Sequence, residues 1–309
     1  MKRLILSLLI ASISITLSAQ VLKERRVYYL DCSYSMVKPN KIWDKVCDNL
    51  IKAINNVEDE TTELIVVPFA LDGKHHSELS AYRELATTQG KTNLINRIKG
   101  IKPDPSSMTY HSDALKDFIN KRIAPDRVTY MFFMTDGQNE ETPDPMPGLL
   151  SQWGGKFSGK NVYGFYVMLH DSADNKNTES IIAKQPQLWK VKSADVNINL
   201  IRLQNTAVFN ARNDKYFDLP IYGDASGKSF SASINGASPY KVDKVEKKGN
   251  NLRVYLSFSG SVSQLPAAVN TPLKITMKGG GEYDFLVTEI INVKCESKPE
   301  RSLKITVRP

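Results

Sequence analysis

The chain has 309 residues, 41% hydrophobic and 24% charged, with a formal net charge of +8. That composition excludes a disordered or fibrous chain and leaves room for two domains with buried cores. The basic residues are spread along the sequence, with pairs such as Arg25-Arg26 and Lys247-Lys248 but no dense cluster, so no nucleic-acid partner is expected.

The N-terminus reads as an export signal over residues 1–19. Lys2 and Arg3 form a basic start, Leu4 to Leu17 an apolar stretch, and Leu17-Ser18-Ala19 offers small residues before a cut at Gln20. The alternative, a membrane anchor, suits the stretch less well. It is short for a bilayer and is diluted by Ser7, Ser12, Ser14 and Thr16. No Cys follows the small residues, so a lipoprotein cut is not indicated. Cleavage would remove Lys2 and Arg3, lowering the net charge by two. The mature chain is then expected to have no transmembrane span and to be exported, either periplasmic or secreted to the cell surface.

After a short extension (20–25), residues 26–195 alternate apolar strands with amphipathic helices. Val27 to Leu30 forms a continuous apolar strand ending at Asp31. Ile42, Val46, Leu50 and Ile54 recur every four residues and predict a helix with one apolar stripe. Leu64 to Phe69 is the next buried strand, with Pro68 marking the expected end of its ladder. Leu94, Ile95, Ile98 and Ile101 suggest a short helix, and Ala114, Leu115, Phe118 and Ile119 another that starts near Ser112. Val128 to Thr135 and Val162 to Leu169 complete the core strands. Strands without polar alternation are covered on both faces, and strand–helix alternation predicts an α/β, doubly wound, mostly parallel sheet.

Residues 196–309 have a different texture, with short strand-like runs, turn signals and no helical period. Ser229 to Ile234 precedes Asn235-Gly236, a hairpin signal. Lys241 to Val245 and Leu252 to Phe258 flank Gly249-Asn250-Asn251. Leu273 to Met277 and Tyr283 to Val287 flank Gly279-Gly280-Gly281, and Leu303 to Val307 could close the set. This spacing predicts a C-terminal all-β, antiparallel sandwich-like domain.

There are three cysteines, Cys32, Cys47 and Cys295, so at least one thiol is unpaired in the monomer. Two buried free thiols and one exposed is the preferred reading, and a Cys47–Cys295 bridge the alternative. Cys32 as a nucleophile would need a base that no motif supplies. His75-His76 reads as surface and His170 has no evident partner. His111 reads first as a helix-start residue and second as a border of the rim described next. Gln138, Asn139, Glu140 and Glu141 read first as a solvated loop and second as residues that shape the same rim. Trp43, Trp153 and Trp189 read as packing residues.

Three oxygen-rich segments stand at strand ends or just before a helix. They are Asp31-Cys32-Ser33-Tyr34-Ser35, Thr109 before the Ala114-Leu115 helix, and Asp136-Gly137 after the strand ending in Thr135. In an open parallel sheet the loops at the carboxyl ends share one rim, where ligands collect. Two carboxylates and three hydroxyls suit a hard cation such as Mg²⁺, which takes oxygen ligands and keeps some waters. With no Cys-x-x-Cys or His-rich pattern nearby, a dedicated zinc site is not expected.

Asp-x-Ser-x-Ser after the first strand, a Thr five residues before Ala-Leu, and Thr-Asp-Gly after a core strand together resemble the metal-ion-dependent adhesion site of von Willebrand factor type A domains. The resemblance covers about Arg26 to Ala194. It implies that Ser33, Ser35 and Thr109 ligate a divalent cation (Mg²⁺, or Mn²⁺ or Ca²⁺) through hydroxyls, while Asp31 and Asp136 act through bound waters. It also implies an open coordination position for an acidic side chain of a protein partner. The sequence departs from the family where Ser106-Ser107-Met108 replaces the Gly-Gly that many members carry before the Thr. Asp104 and Ser107 are alternative oxygen donors there. The expected function is therefore metal-dependent protein binding, in adhesion or assembly, and not catalysis. One alternative is an Mg-dependent, phosphatase-like hydrolase using Asp31. A haloacid dehalogenase-type phosphatase wants a second Asp two residues later, where this chain has Ser33. The other alternative is a metal-free structural envelope protein.

Overall fold

The computed structural model describes residues 23–38, 41–103, 108–137, 139–169, 176–192 and 198–298. The expected export signal, Asp104, Ser106, Ser107, Gln138, His170 and the run Leu303 to Val307 lie outside the described residues. The chain divides into two compact units, one spanning Leu22–Ile198 and the other the residues from Asn199 on.

In chain order the first unit runs β1 (Lys23–Asp31), α1 (Tyr34–Val37), α2 (Trp43–Asn55), β2 (Glu63–Phe69), β3 (Tyr82–Leu85), α3 (Thr88–Lys99) and α4 (His111–Asp117). A π-helical turn, Phe118–Arg122, extends α4. Then follow β4 (Arg127–Thr135), α5 (Met146–Ser151), α6 (Trp153–Phe157), β5 (Val162–Met168), α7 (Lys176–Ile182) and β6 (Leu188–Lys192). The strands form one six-stranded sheet in the order β3-β2-β1-β4-β5-β6, parallel except for β3. The order reverses between β2 and β4 about β1, which places a topological switch point at the carboxyl ends of β1 and β4.

Every residue of β2 and β5 is buried, which is why both read as unbroken apolar runs. Aromatic ladders cross the sheet on both faces. Tyr28, Phe132, Phe165 and Trp189 stack in register on one face, with centroids 4.8, 5.4 and 5.1 Å apart. Tyr29, Phe133 and Tyr166 stack on the other, against α4 and α6 through Phe118 and Trp153. Strand β2 continues through Pro68 to Phe69. Its neighbour β3 pairs only with Glu63 to Val66, so Pro68 lies past the end of that ladder, where its missing N–H costs nothing on that side. β3 and β6 carry little apolar periodicity of their own and were not legible as strands. They are recruited by pairing to β2 and β5.

The second unit is two sheets around one core. It comprises β7 (Asn199–Leu203), β8 (Thr206–Asn210), β9 (Tyr216–Tyr222), β10 (Ser229–Ile234), β11 (Tyr240–Lys248), β12 (Asn251–Phe258), β13 (Ala268–Lys278), β14 (Asp284–Leu286) and β15 (Ile290–Glu296). One sheet has the order β10-β13-β15-β8 and the other β11-β12-β9-β7-β14. Leu252, Val254 and Leu256 from one sheet and Leu273, Ile275, Ile291 and Val293 from the other alternate into a shared core, as in a sandwich.

Two expectations need correction. β11 and β12 form the hairpin about Gly249, but Asn235-Gly236 joins strands of different sheets, since β10 pairs with β13. Likewise Gly279 to Gly281 separates β13 from β14, which pairs with β7. The sandwich is also not purely antiparallel, because β14–β7 and β15–β8 are parallel pairs. A turn motif fixes a local reversal of the chain, whereas the pairing partner is set by which sheet offers an open edge. All three cysteines are free, Cys32 and Cys295 buried and Cys47 half-buried.

Candidate metal centre

β1 and β4 are neighbours in register, Leu30 beside Met134, so Asp31 and Asp136 leave the sheet side by side at the switch point. Asp31 is fully buried. Its Oδ1 accepts the Ser33 N–H at 2.9 Å and its Oδ2 accepts the Thr135 hydroxyl at 2.7 Å. The first bond closes the tight loop that turns Ser33 and Ser35 the same way. Their hydroxyl oxygens lie 3.1 Å apart, and both residues are buried. Asp136 is buried as well, directly after β4. Gly137, at φ +88°, allows the chain to double back so that its N–H donates to Thr135 Oγ1 at 3.0 Å.

Thr109 is buried two residues before α4. Its N–H donates to Glu140 and its carbonyl accepts the Glu140 N–H. The described contacts thus fasten Thr109 to the loop after β4, and through it to the rim, not directly to Ser33 or Ser35.

Part of that loop shapes the rim, while Glu140 stays exposed. Asn139 accepts the His111 N–H, and Glu141, buried, accepts both the N–H and the hydroxyl of Ser112. The start of α4 has no side-chain cap of its own, and its unsatisfied N–H groups attract acceptors from elsewhere. Four oxygen-bearing side chains in a row after Thr-Asp-Gly, Gln138 to Glu141, were the signal. The ring of His111, also buried, reaches Thr135 Oγ1 at 2.9 Å and comes within 3.6 Å of Asp31 Oδ2. His111 is therefore both a helix-start residue and part of the rim. His75, largely exposed, stacks on Tyr110 and contacts Asp113, while His76 contacts Asp72.

The rim is anionic and buried. Burial pushes the Tyr166 hydroxyl up, helped by the charges of Asp31, Asp144 and Asp136. Burial, with Asp31 next to it, holds the Cys32 thiol well above its usual range, and its Sγ bonds to the Leu30 carbonyl. A thiol held protonated is a packing residue and not a nucleophile. Cys47 is pushed up to about 12, by burial and then by Asp44 and Asp48.

The donor set fits a hard cation. Adjacent ligands of an octahedral Mg²⁺ with bonds of about 2.1 Å stand about 3.0 Å apart, close to the Ser33–Ser35 separation. Among the described residues no Lys or Arg forms an ion pair with Asp31, and no group of three or more His, Cys, Asp or Glu is placed to hold a metal. The oxygens available are thus two carboxylates and the hydroxyls.

The strand order is that of a doubly wound α/β sheet, and the rim stands at its switch point. Residues 22–198 thus form the doubly wound α/β unit that the motif's resemblance implies. No family model and no curated protein sequence matches the chain. Solved structures similar to it include proximal thread matrix protein 1 from the mussel byssus, at 14% identity and TM-score 0.44 over 62% of this chain and 52% of that one. The chain thus aligns with about half the length of that protein, another structure of which has a zinc-occupied metal-ion-dependent adhesion site. Others are a von Willebrand factor type A protein from Catenulispora acidiphila (12% identity, TM-score 0.38, 90% of this chain and 67% of that one) and the pilus adhesin SpaC from Lactobacillus rhamnosus GG (11% identity, TM-score 0.42, 89% and 44%). Among the described residues no helix is long and apolar enough to cross a membrane.

Proposed function

We propose that the chain is an exported, metal-dependent protein-binding module of the cell envelope, serving adhesion or assembly, with no catalytic activity. Ser33, Ser35 and Thr109 would hold a divalent cation, Mg²⁺ first, and Asp31 and Asp136 would balance its charge through water. The cation, when bound, supplies an electrophilic centre to which an acidic side chain of the partner can bind. The observation that carries the reading is the buried carboxylate of Asp31, held by neutral donors beside two hydroxyls at the spacing of adjacent ligands. A buried carboxylate without a Lys or Arg partner is costly, and a cation nearby relieves that cost.

Two large apolar side chains, Tyr34 between the serines and Met108 beside Thr109, are more than 40% exposed. They give a partner apolar surface around its carboxylate. Against a hydrolase stands Ser33, a hydroxyl where phosphoryl transfer by Asp31 needs a proton-transferring carboxylate.

The test is isothermal titration of Mg²⁺, Mn²⁺ and Ca²⁺ into chelator-stripped mature protein and into a Ser33→Ala/Ser35→Ala variant. The expected result is saturable binding near one ion per chain that the variant loses. No saturable binding to the unaltered chain would leave the metal-free structural role.

A further inference from the structure

We infer that His111 is a positioning residue of the candidate metal centre, acting on Asp31 through the hydroxyl of Thr135. The inference rests on the metal-binding reading above, and it follows from counting hydrogens. Thr135 Oγ1 has one hydrogen and two lone pairs. It lies 2.7 Å from Asp31 Oδ2, 2.9 Å from His111 Nε2 and 3.0 Å from the Gly137 nitrogen. The Gly137 N–H can only donate, and an ionised Asp31 can only accept. The Thr135 hydrogen therefore goes to Asp31, and His111 must donate through an Nε2-bound hydrogen. The result is a directed chain, His111 Nε2–H to Thr135 Oγ1 and Thr135 O–H to Asp31 Oδ2, in which the oxygen of Thr135 has all its bonding positions filled.

The imidazole is held to that task from both ends. Its ring lies edge-on to Phe69 and Phe133, with centroids 6.0 and 5.4 Å away, and its backbone N–H is bonded to Asn139. Phe69 ends β2 and Phe133 is in β4, so the ring is set by the sheet. A histidine in this setting could be only a satisfied core residue. What distinguishes it is where the chain ends, on the Asp31 oxygen opposite the one that organises the Ser33–Ser35 loop. With Oδ2 occupied, the carboxylate cannot rotate, and Oδ1 keeps Ser33 in place. Through Asp31 Oδ1 the relay reaches Ser33, a proposed ligand, and outer residues that orient a ligand typically change metal affinity by about 10–100-fold when removed.

The experiment compares Mn²⁺ binding to the stripped mature chain, to His111→Phe, which keeps an aromatic ring but no donor, and to His111→Gln, whose amide nitrogen can replace Nε2. The expected result is at least a tenfold loss of affinity for His111→Phe and retention within about threefold for His111→Gln. Nitrogen-15 NMR of the cation-free chain should show the His111 hydrogen on Nε2. A folded His111→Phe that binds Mn²⁺ as tightly as the unaltered chain, or an Nε2 without hydrogen, overturns the inference. If His111→Phe does not fold, Thr135→Val makes the same test from the middle of the chain, with the same loss expected. Absence of Mn²⁺ binding to the unaltered chain overturns the proposed function, and the Nε2 signal then decides the relay by itself.

Discussion

The sandwich and the rim of the α/β unit treat their acidic residues in different ways. In the sandwich, Asp218, Glu246 and Asp284 lie at or near the surface, each facing a cationic side chain, Arg253, Lys244 and Lys228 respectively. Such pairs are screened by water and contribute little. On the rim of the α/β unit, Asp31 is fully buried and its closest partners are a backbone N–H and a hydroxyl. The same unit supplies its own control. Asp117 is also buried, but the Arg122 guanidinium grips it at 2.7 and 3.0 Å and the Tyr29 hydroxyl donates to it at 2.7 Å. Two buried carboxylates about one sheet therefore differ in what neutralises them. One is closed by an arginine, and the other is held by neutral donors, as the proposed metal centre requires.

The largest effect should come from breaking the closed pair. Asp117→Ala leaves the Arg122 charge without its partner and is expected to cost about 3–5 kcal/mol. Asp31→Asn should cost about 1 kcal/mol in chelator, because it removes one hydrogen-bond match and no Lys or Arg pair. It should also abolish cation binding. Denaturant unfolding of both variants, with and without Mg²⁺, reads the difference. Equal losses in chelator would break the distinction between a structural and a binding carboxylate.

The sandwich should be most sensitive at its backbone and not at its charges. Gly223 sits at φ +90°, and a Cβ there would lie 2.1 Å from the Leu200 carbonyl oxygen. Gly223→Ala is expected to cost about 2–3 kcal/mol. Gly227→Ala, at φ +68° with open space around it, should cost only the left-handed strain of about 1 kcal/mol. Thermal unfolding of the two variants sharpens the contrast, and a neutral Gly223→Ala would refute the close approach.

The smallest effect is expected at Glu246. The Lys244 ammonium, and then the Tyr255 hydroxyl, lower its carboxyl from the usual range to about 2. A lowered folded-state value adds stability above the unfolded value of about 4.5 and loses it as pH falls through about 2. Glu246→Gln should therefore flatten slightly the acid side of the stability profile between those values. An unchanged profile would show the pair to be fully screened.

Much of the α/β unit was legible because its strands and helices announce their own burial. Val27 to Leu30 and Val128 to Thr135 are unbroken strand-forming runs, and the Val46-Leu50-Ile54 stripe carries the helical period. The strands Tyr82–Leu85 and Leu188–Lys192 do not, because an edge strand takes its conformation from its neighbour. At the rim, Asp31, Ser33 and Ser35 were readable from spacing within one loop. The partners of Thr135, His111, Glu140 and Glu141 were hidden, because each bonds to a residue more than twenty positions away.

By itself the sequence determined what is local, namely the apolar runs and helical stripes that set each element's burial, the turn about Gly249, and the oxygen-rich loops placed at strand ends. Only the tertiary structure decided what depends on closure of the chain. It chose which strands share a sheet, so that β10 pairs with β13 across the molecule and not with β11 across Asn235-Gly236. It also decided that Asp31 would be buried beside Thr135 while Asp117 met Arg122. The reason is that a side chain's charge and hydrogen-bonding capacity are written in the sequence. Its solvation, and the partner that compensates for losing water, exist only once distant segments have packed.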